Sequence, residues 1–212
     1  GLTPYLQFGA IQRWDFPETV ASGSPISMPF YDAFTTGAFQ TQYGHALGLI
    51  ANNTVDPGTI PSEAAFLSTL IGQHTAQIRE YVLATYPDCR FEVLYPNDVN
   101  APALNRAVNY ASADWTPANL ACLKTENFGF TLARNLELSR ESIEQGYAAA
   151  FEPAQRSHLV GISDASTPWL KEARIAVGYG LESVVLWALD QFCLVGYGVP
   201  LALGLRKSAK QG

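Results

Sequence analysis

The sequence predicts an α/β fold, a partial (β/α)8 barrel comprising roughly its fourth to eighth strands with their helices. Three observations predict it. Five extended apolar runs recur along the 212 residues, separated by stretches of helical periodicity. Strands that alternate with helices give a mostly parallel sheet covered by helices. The last four runs begin near residues 91, 125, 158 and 183, close to the spacing of roughly 30 residues that a strand–helix–strand unit occupies. Each run also ends in a carboxylate or amide, where a (β/α) barrel assembles its chemistry.

Taken in order, the first strand is the run Tyr5–Trp14, followed by Asp15 and a loop over Pro17–Pro25. Ser27 is a candidate cap for a helix with Met28, Tyr31, Phe34, Ala38 and Phe39 on one face, ending before Gly44. Residues 45–61, rich in Asn, Asp, Pro and Gly, read as irregular. Ser62 then caps the clearest helix, in which Phe66, Leu67, Leu70, Ile71, Ile78, Tyr81 and Val82 repeat until Pro87 stops it. His74 shares that stripe and reads as a core or boundary histidine. A strand at Phe91–Tyr95 precedes Asn97 and Asp98, and a loop rich in Asn, Pro and Ala follows. Thr116-Pro117 opens a short helix to about Leu123. The weakest strand lies around Lys124–Phe130 and carries Glu126.

A helix is expected over Thr131–Ala150, with Leu132, Leu136, Ile143 and Tyr147 inward. His158–Ile162 is the next strand, before Asp164, and Thr167-Pro168 starts a helix that stops at Gly178-Tyr179-Gly180. The last strand, Ser183–Leu189, precedes Asp190 and Gln191. Residues 1–205 form the barrel portion and 206–212 a frayed tail.

A complete barrel takes about 250 residues and eight strands, so five strands do not close. The chain is either an open doubly wound sheet or the later part of a barrel whose first three strands lie upstream. A first residue other than methionine favours the second reading. It makes the N-terminal half of the same barrel an expected partner.

Composition narrows the partners. Charged residues are only 15%, aromatics 12%, and the net charge is −6, which gives no footprint for nucleic acid or an anionic membrane surface. A neutral ligand such as a carbohydrate meets no electrostatic objection. No apolar run is long enough to span a membrane. Cys89, Cys122 and Cys193 have no metal or disulfide spacing, and His45, His74 and His158 have no zinc spacing. Gly178-Tyr179-Gly180 lacks the third glycine of a dinucleotide loop and precedes a strand instead of following one. Gly161-Ile162-Ser163-Asp164-Ala165 approaches a nucleophile elbow, but no histidine follows it in the chain. Neither a cofactor nor a metal is expected.

The carboxylates remain. Glycoside hydrolysis needs two, one acting as acid and one as nucleophile or base, and strand ends can hold them. Asp15, Asp98, Glu126, Asp164 and Asp190 stand at such ends, with Gln12 and Asn97 as polar neighbours and Trp14, Tyr95 and Trp187 as sugar platforms. The competing structural reading is that Asp15 and Asp98 cap helices and that the aromatics are core. It is weaker for Asp164, because Ser166 or Thr167 already supplies a cap, and for Asp190, which has no obvious helix behind it.

The segments Pro4–Trp14, Met28-Pro-Phe-Tyr-Asp-Ala33, Phe39 and Tyr43-Gly44 resemble the fourth-strand region of (β/α)8-barrel glycoside hydrolases. More narrowly, they are similar to glycosidase-like barrels of bacterial and phage-tail-associated multidomain proteins. Phe91–Asn100, Leu123–Glu126 and Leu186–Phe192 fit the same likeness. The resemblance implies a glutamate acid ending strand four and an acidic nucleophile ending strand seven. Where Gln-Phe-Gly-Glu is expected, this chain has Gln7-Phe8-Gly9-Ala10, and Asp164 takes the strand-seven place. Alanine carries no proton. Three accounts stand: a carbohydrate-binding pseudoenzyme, an acid-removing substitution, or a shifted alignment in which Asp15 serves. The implied function is action on, or binding to, polysaccharide, in an extracellular, cell-surface or virion-associated setting. The alternative is a structural or carbohydrate-binding module of a tail-like or surface assembly.

Overall fold

The computed structural model describes residues 3–9, 13–16, 32–162 and 167–194. It is organised around five strands: β1 (Tyr5–Gly9), β2 (Arg90–Pro96), β3 (Cys122–Glu126), β4 (Arg156–Gly161) and β5 (Ser183–Trp187). They form one sheet in the order β1-β2-β3-β4-β5, and every neighbouring pair is parallel. A doubly wound sheet reverses its strand order at a switch point; this one does not. Right-handed crossovers that always step the same way leave the connecting helices on a single face. The topology is that of a partial (β/α) barrel, with roughly half the repeats of an eightfold one.

Between β1 and β2 run α1 (Ala33–Tyr43) and α2 (Pro61–Thr85); α3 (Ala103–Asn109) links β2 to β3. Two helices, α4 (Phe128–Leu132) and α5 (Leu136–Ala148), lead to β4, α6 (Trp169–Gly178) leads to β5, and α7 (Leu189–Leu194) follows it. Strand alternation divides the side chains between two faces. Phe8, Phe91, Val93, Tyr95 and Leu123 face the helices and pack with Ile71, Trp115 and Phe151. Val160 and Ile162 pack on Trp169 and Ala173 of α6. A further cluster joins Phe39, Phe66, Leu67, Leu104 and Val108 between α1, α2 and α3. Each such side chain contributes roughly 1.5–3 kcal/mol by leaving water. The opposite face carries Gln7, Glu92, Lys124, Glu126, Ser157 and Ser183, as the strand registers require.

Several local expectations are corrected. Helix α1 is capped by Asp32, whose Oδ1 accepts from Thr35 N at 2.6 Å, while Ser27, Met28 and Tyr31 lie outside the described residues. Its end at left-handed Gly44, φ 76°, is as the glycine predicts. Helix α2 starts a residue before its expected cap, with Pro61 in the first turn and Ile60 at the cap position. His74 on α2 is exposed rather than at the core, and Tyr81 is 80% exposed.

The Asn/Pro/Ala stretch holds α3, because Leu104 and Val108, one turn apart, are both fully buried. Residues 112–119 form turns instead of the expected helix. The helix expected over 131–150 is two, broken where Arg134 takes φ 58° and Asn135 caps the second by accepting from Leu138 N at 3.2 Å. Ile143 is buried as expected, but Leu132 and Tyr147 are about half exposed.

Candidate functional site

The first strand stops earlier than its apolar run, and Gly9 supplies the reason. Its φ is 93°, and a Cβ there would overlap the Leu94 carbonyl of β2, so only glycine fits the backbone at this bend. The chain is then fastened to the exit of β2 through Trp14. Asn109 Oδ1 accepts from Trp14 N at 2.7 Å, and Asn109 Nδ2 donates to Trp14 O and to Asn100 Oδ1, each at 2.9 Å. Trp14 Nε1 donates to the Leu67 carbonyl of α2 at 2.8 Å. Trp14 is therefore held in the helix layer. Tyr95 lies there too, 2% exposed and edge-on to Tyr110, and burial pushes its hydroxyl well above the usual phenol range. Neither ring is a platform on the concave face.

What does converge at the strand ends is a set around β3. Glu126, the last residue of β3, is half-buried on the concave face, paired in register with Pro96 and Leu159. Its carbonyl accepts from Asn97 N at 2.7 Å. Burial first, then the nearby Asp98 charge, raises the Glu126 carboxyl above the usual range; Glu172 adds to this and Arg13 opposes it. Asp98 is held as an acceptor, with Oδ1 taking Val99 N at 2.9 Å and Oδ2 taking Gly129 N at 2.5 Å. The capping reading of Asp98 thus describes its contacts, though the helix it serves is α4, after the next strand. Asn97 Nδ2 is buried and has no hydrogen-bond partner.

The aromatic that sequence reasoning missed is Phe128. A Cβ on Gly161 would overlap the Phe128 ring, so the glycine makes room for Phe128 to lie over the end of β4. Gly161 pairs in register with Trp187, which is 55% exposed. Phe128 therefore covers Gly161, and Trp187 holds the register position next to that glycine on β5. The available signal was the Phe128-Gly129-Phe130 triplet after Glu126-Asn127, which reads as strand rather than as a ring folded back over the sheet.

Asp15 is exposed, apart from this set, and Asp190 is exposed in the first turn of α7, so a helix does follow β5. Ala10, Gln12 and Asp164, the proposed catalytic residue, lie outside the described residues. A cavity of about 400 Å3 lies elsewhere, lined by Arg13, Trp14, Thr35, Ile71 and His74. Among the described residues lining it, His74 is the one acid–base group, and Asn97, Asp98 and Glu126 do not line it. Among the described residues no group of three or more His, Cys, Asp or Glu side chains could hold a metal ion, and no helix is long and apolar enough to cross a membrane. No family model, curated protein or solved structure matches this chain.

Proposed function

We propose that the carboxyl ends of these strands form part of a polysaccharide cleft of glycoside-hydrolase type, in which Glu126 is the proton-bearing carboxyl. One observation carries the reading: Glu126 ends a barrel-type strand with its carboxyl raised by burial and by Asp98, beside Phe128 and Trp187. A carboxyl whose midpoint is raised holds its proton to higher pH than an ordinary one and can donate it to a glycosidic oxygen, while a second, ionised one serves as nucleophile or base. Asp164, following β4 in the chain, is assigned that second role. Phe128 and Trp187 offer apolar faces to sugar rings. Gln12, Asp15 and Asp190 are further proposed carbohydrate-binding residues.

Ala10 favours a second reading within the same cleft. The residue that the resemblance makes the acid has no proton to give, so binding without turnover is the natural activity. A carbohydrate-binding module in an extracellular, cell-surface or tail-like assembly fits that chemistry. The test uses the full chain on a panel of polysaccharides and aryl glycosides. Binding is expected, weakened about tenfold by Trp187→Ala, which corresponds to the loss of one stacking contact of about 1.4 kcal/mol. On the second reading hydrolysis is expected only after Ala10→Glu. Absence of binding across the panel sinks the carbohydrate reading; hydrolysis by the unaltered chain, lost in Glu126→Gln, restores a working enzyme.

A further inference from the structure

Behind the sheet, on the helix-facing side of β3 and β4, lies a polar chain with no access to water. His158 and Glu172 are both 0% exposed, and His158 Nε2 stands 2.7 Å from Glu172 Oε1. His158 Nδ1 stands 2.8 Å from the hydroxyl of Thr125. The other Glu172 oxygen accepts from the Thr131 hydroxyl, which also lies 3.2 Å from Asn127 Oδ1. Asn127 Nδ2 completes the chain on the Ser139 carbonyl at 3.3 Å. Burying so many polar groups is costly unless each is satisfied, and a satisfied network is rigid.

Two members of this chain, Thr125 and Asn127, are the immediate neighbours of Glu126 in sequence. Alternation turns Glu126 to the other face of the sheet. We propose that His158 and Glu172 are positioning residues for Glu126: by fastening the backbone on both sides of it, they hold its carboxyl in one place at the concave mouth. This rests on the assignment of Glu126 to the site. An apolar pair would fill the same volume, but it would not tie Thr125 and Asn127 through directed bonds.

The charged groups that act on Glu126 come from three directions: Arg13 after β1, Asp98 after β2 and Glu172 from α6. Arg13 lowers the Glu126 midpoint, while Asp98 and Glu172 raise it. Removing the Glu172 charge therefore lowers that midpoint, and Glu172→Asp, which keeps the charge, restores it at least in part.

The experiment is a pH titration of the Glu126 carboxyl by NMR, on the full chain carrying carboxyl-labelled glutamate, with its resonance assigned by loss in Glu126→Gln. A downward shift of the midpoint in Glu172→Gln, reversed in Glu172→Asp and absent in the control Glu92→Gln, is the expected result. An unchanged midpoint in a cooperatively folded Glu172→Gln overturns the proposal. Thr131→Val, which cuts only the arm to Asn127, covers the case in which Glu172→Gln fails to fold. A displaced Glu126 resonance or midpoint supports positioning, and wild-type behaviour overturns it. The readout needs no substrate. A moved titration without sugar binding would sink the polysaccharide reading and leave the positioning role standing, whereas sugar binding with an unmoved titration would do the reverse.

Discussion

The two faces of the sheet follow opposite rules. Towards the helices, Phe8, Phe91, Val93, Leu123 and Val160 are all within 8% of full burial; of the polar residues on that side, Thr125 and His158 are hydrogen-bonded to one another, and buried Arg156 lies over the Tyr147 ring. On the concave face, Gln7 is exposed, Lys124 donates to Gln7 at 3.1 Å and is paired with Glu92, Ser157 bonds Ser183 at 2.8 Å, and Glu126 has a carboxyl raised in pKa. Packed (β/α) barrels fill the corresponding interior mainly with branched apolar side chains. The helix side is thus mostly apolar, whereas the other face mixes buried Leu94, Cys122 and Leu159 with charged and hydroxyl side chains.

The largest effect that tests this division is expected from Leu123→Ala. Leu123 is fully buried between sheet and helices, so its truncation should cost about 2–5 kcal/mol in denaturant unfolding. Gln7→Ala on the other face should stay within about 0.5 kcal/mol. Equal losses would erase the contrast.

A middle-sized effect belongs to the ion pair. Lys124 and Glu92 side chains are 12% and 13% exposed, so Lys124→Met leaves a mostly buried carboxylate alone, at about 1–3 kcal/mol. Lys124→Met combined with Glu92→Leu should recover most of that. A double variant no better than the single one would mean that the concave charges are structural, against the division drawn here.

The smallest is the pH response of Glu126. A carboxyl raised in the folded state binds its proton more tightly there than when unfolded. Its contribution to stability is full below the ordinary carboxyl value of 4.5 and falls as pH rises through the raised one. Glu126→Gln should therefore melt higher than the parent at neutral pH, with the gap closing towards pH 4. A variant that is less stable at neutral pH would indicate that the ionised carboxylate is bonded rather than strained.

Much of the fold was legible because its signals are local. Apolar runs at β2, β4 and β5, glycines closing α1 and α6, and the stripe from Phe66 to Ile78 in α2 all depend on neighbours a few residues away. Misreadings arose where tertiary packing outvoted a local cue. Thr116-Pro117 has the chemistry of a helix start, yet Leu104 and Val108 had an apolar surface to cover, and α3 formed there instead. The candidate site was half legible. Glu126, Asn97, Asp98 and Trp187 follow from strand ends, whereas Phe128, His158 and Glu172 depend on contacts between β3, β4 and α6.

The sequence by itself determined that the chain alternates strand and helix and that carboxylates and amides fall at strand ends, since both follow from periodicity along the chain. Only the tertiary structure decided that the strands run in a single unreversed order, that Trp14 and Tyr95 belong to the helix layer, and that Glu126 is gripped from behind. Strand order, facing and charge proximity are relations between distant residues, and only the folded chain fixes them.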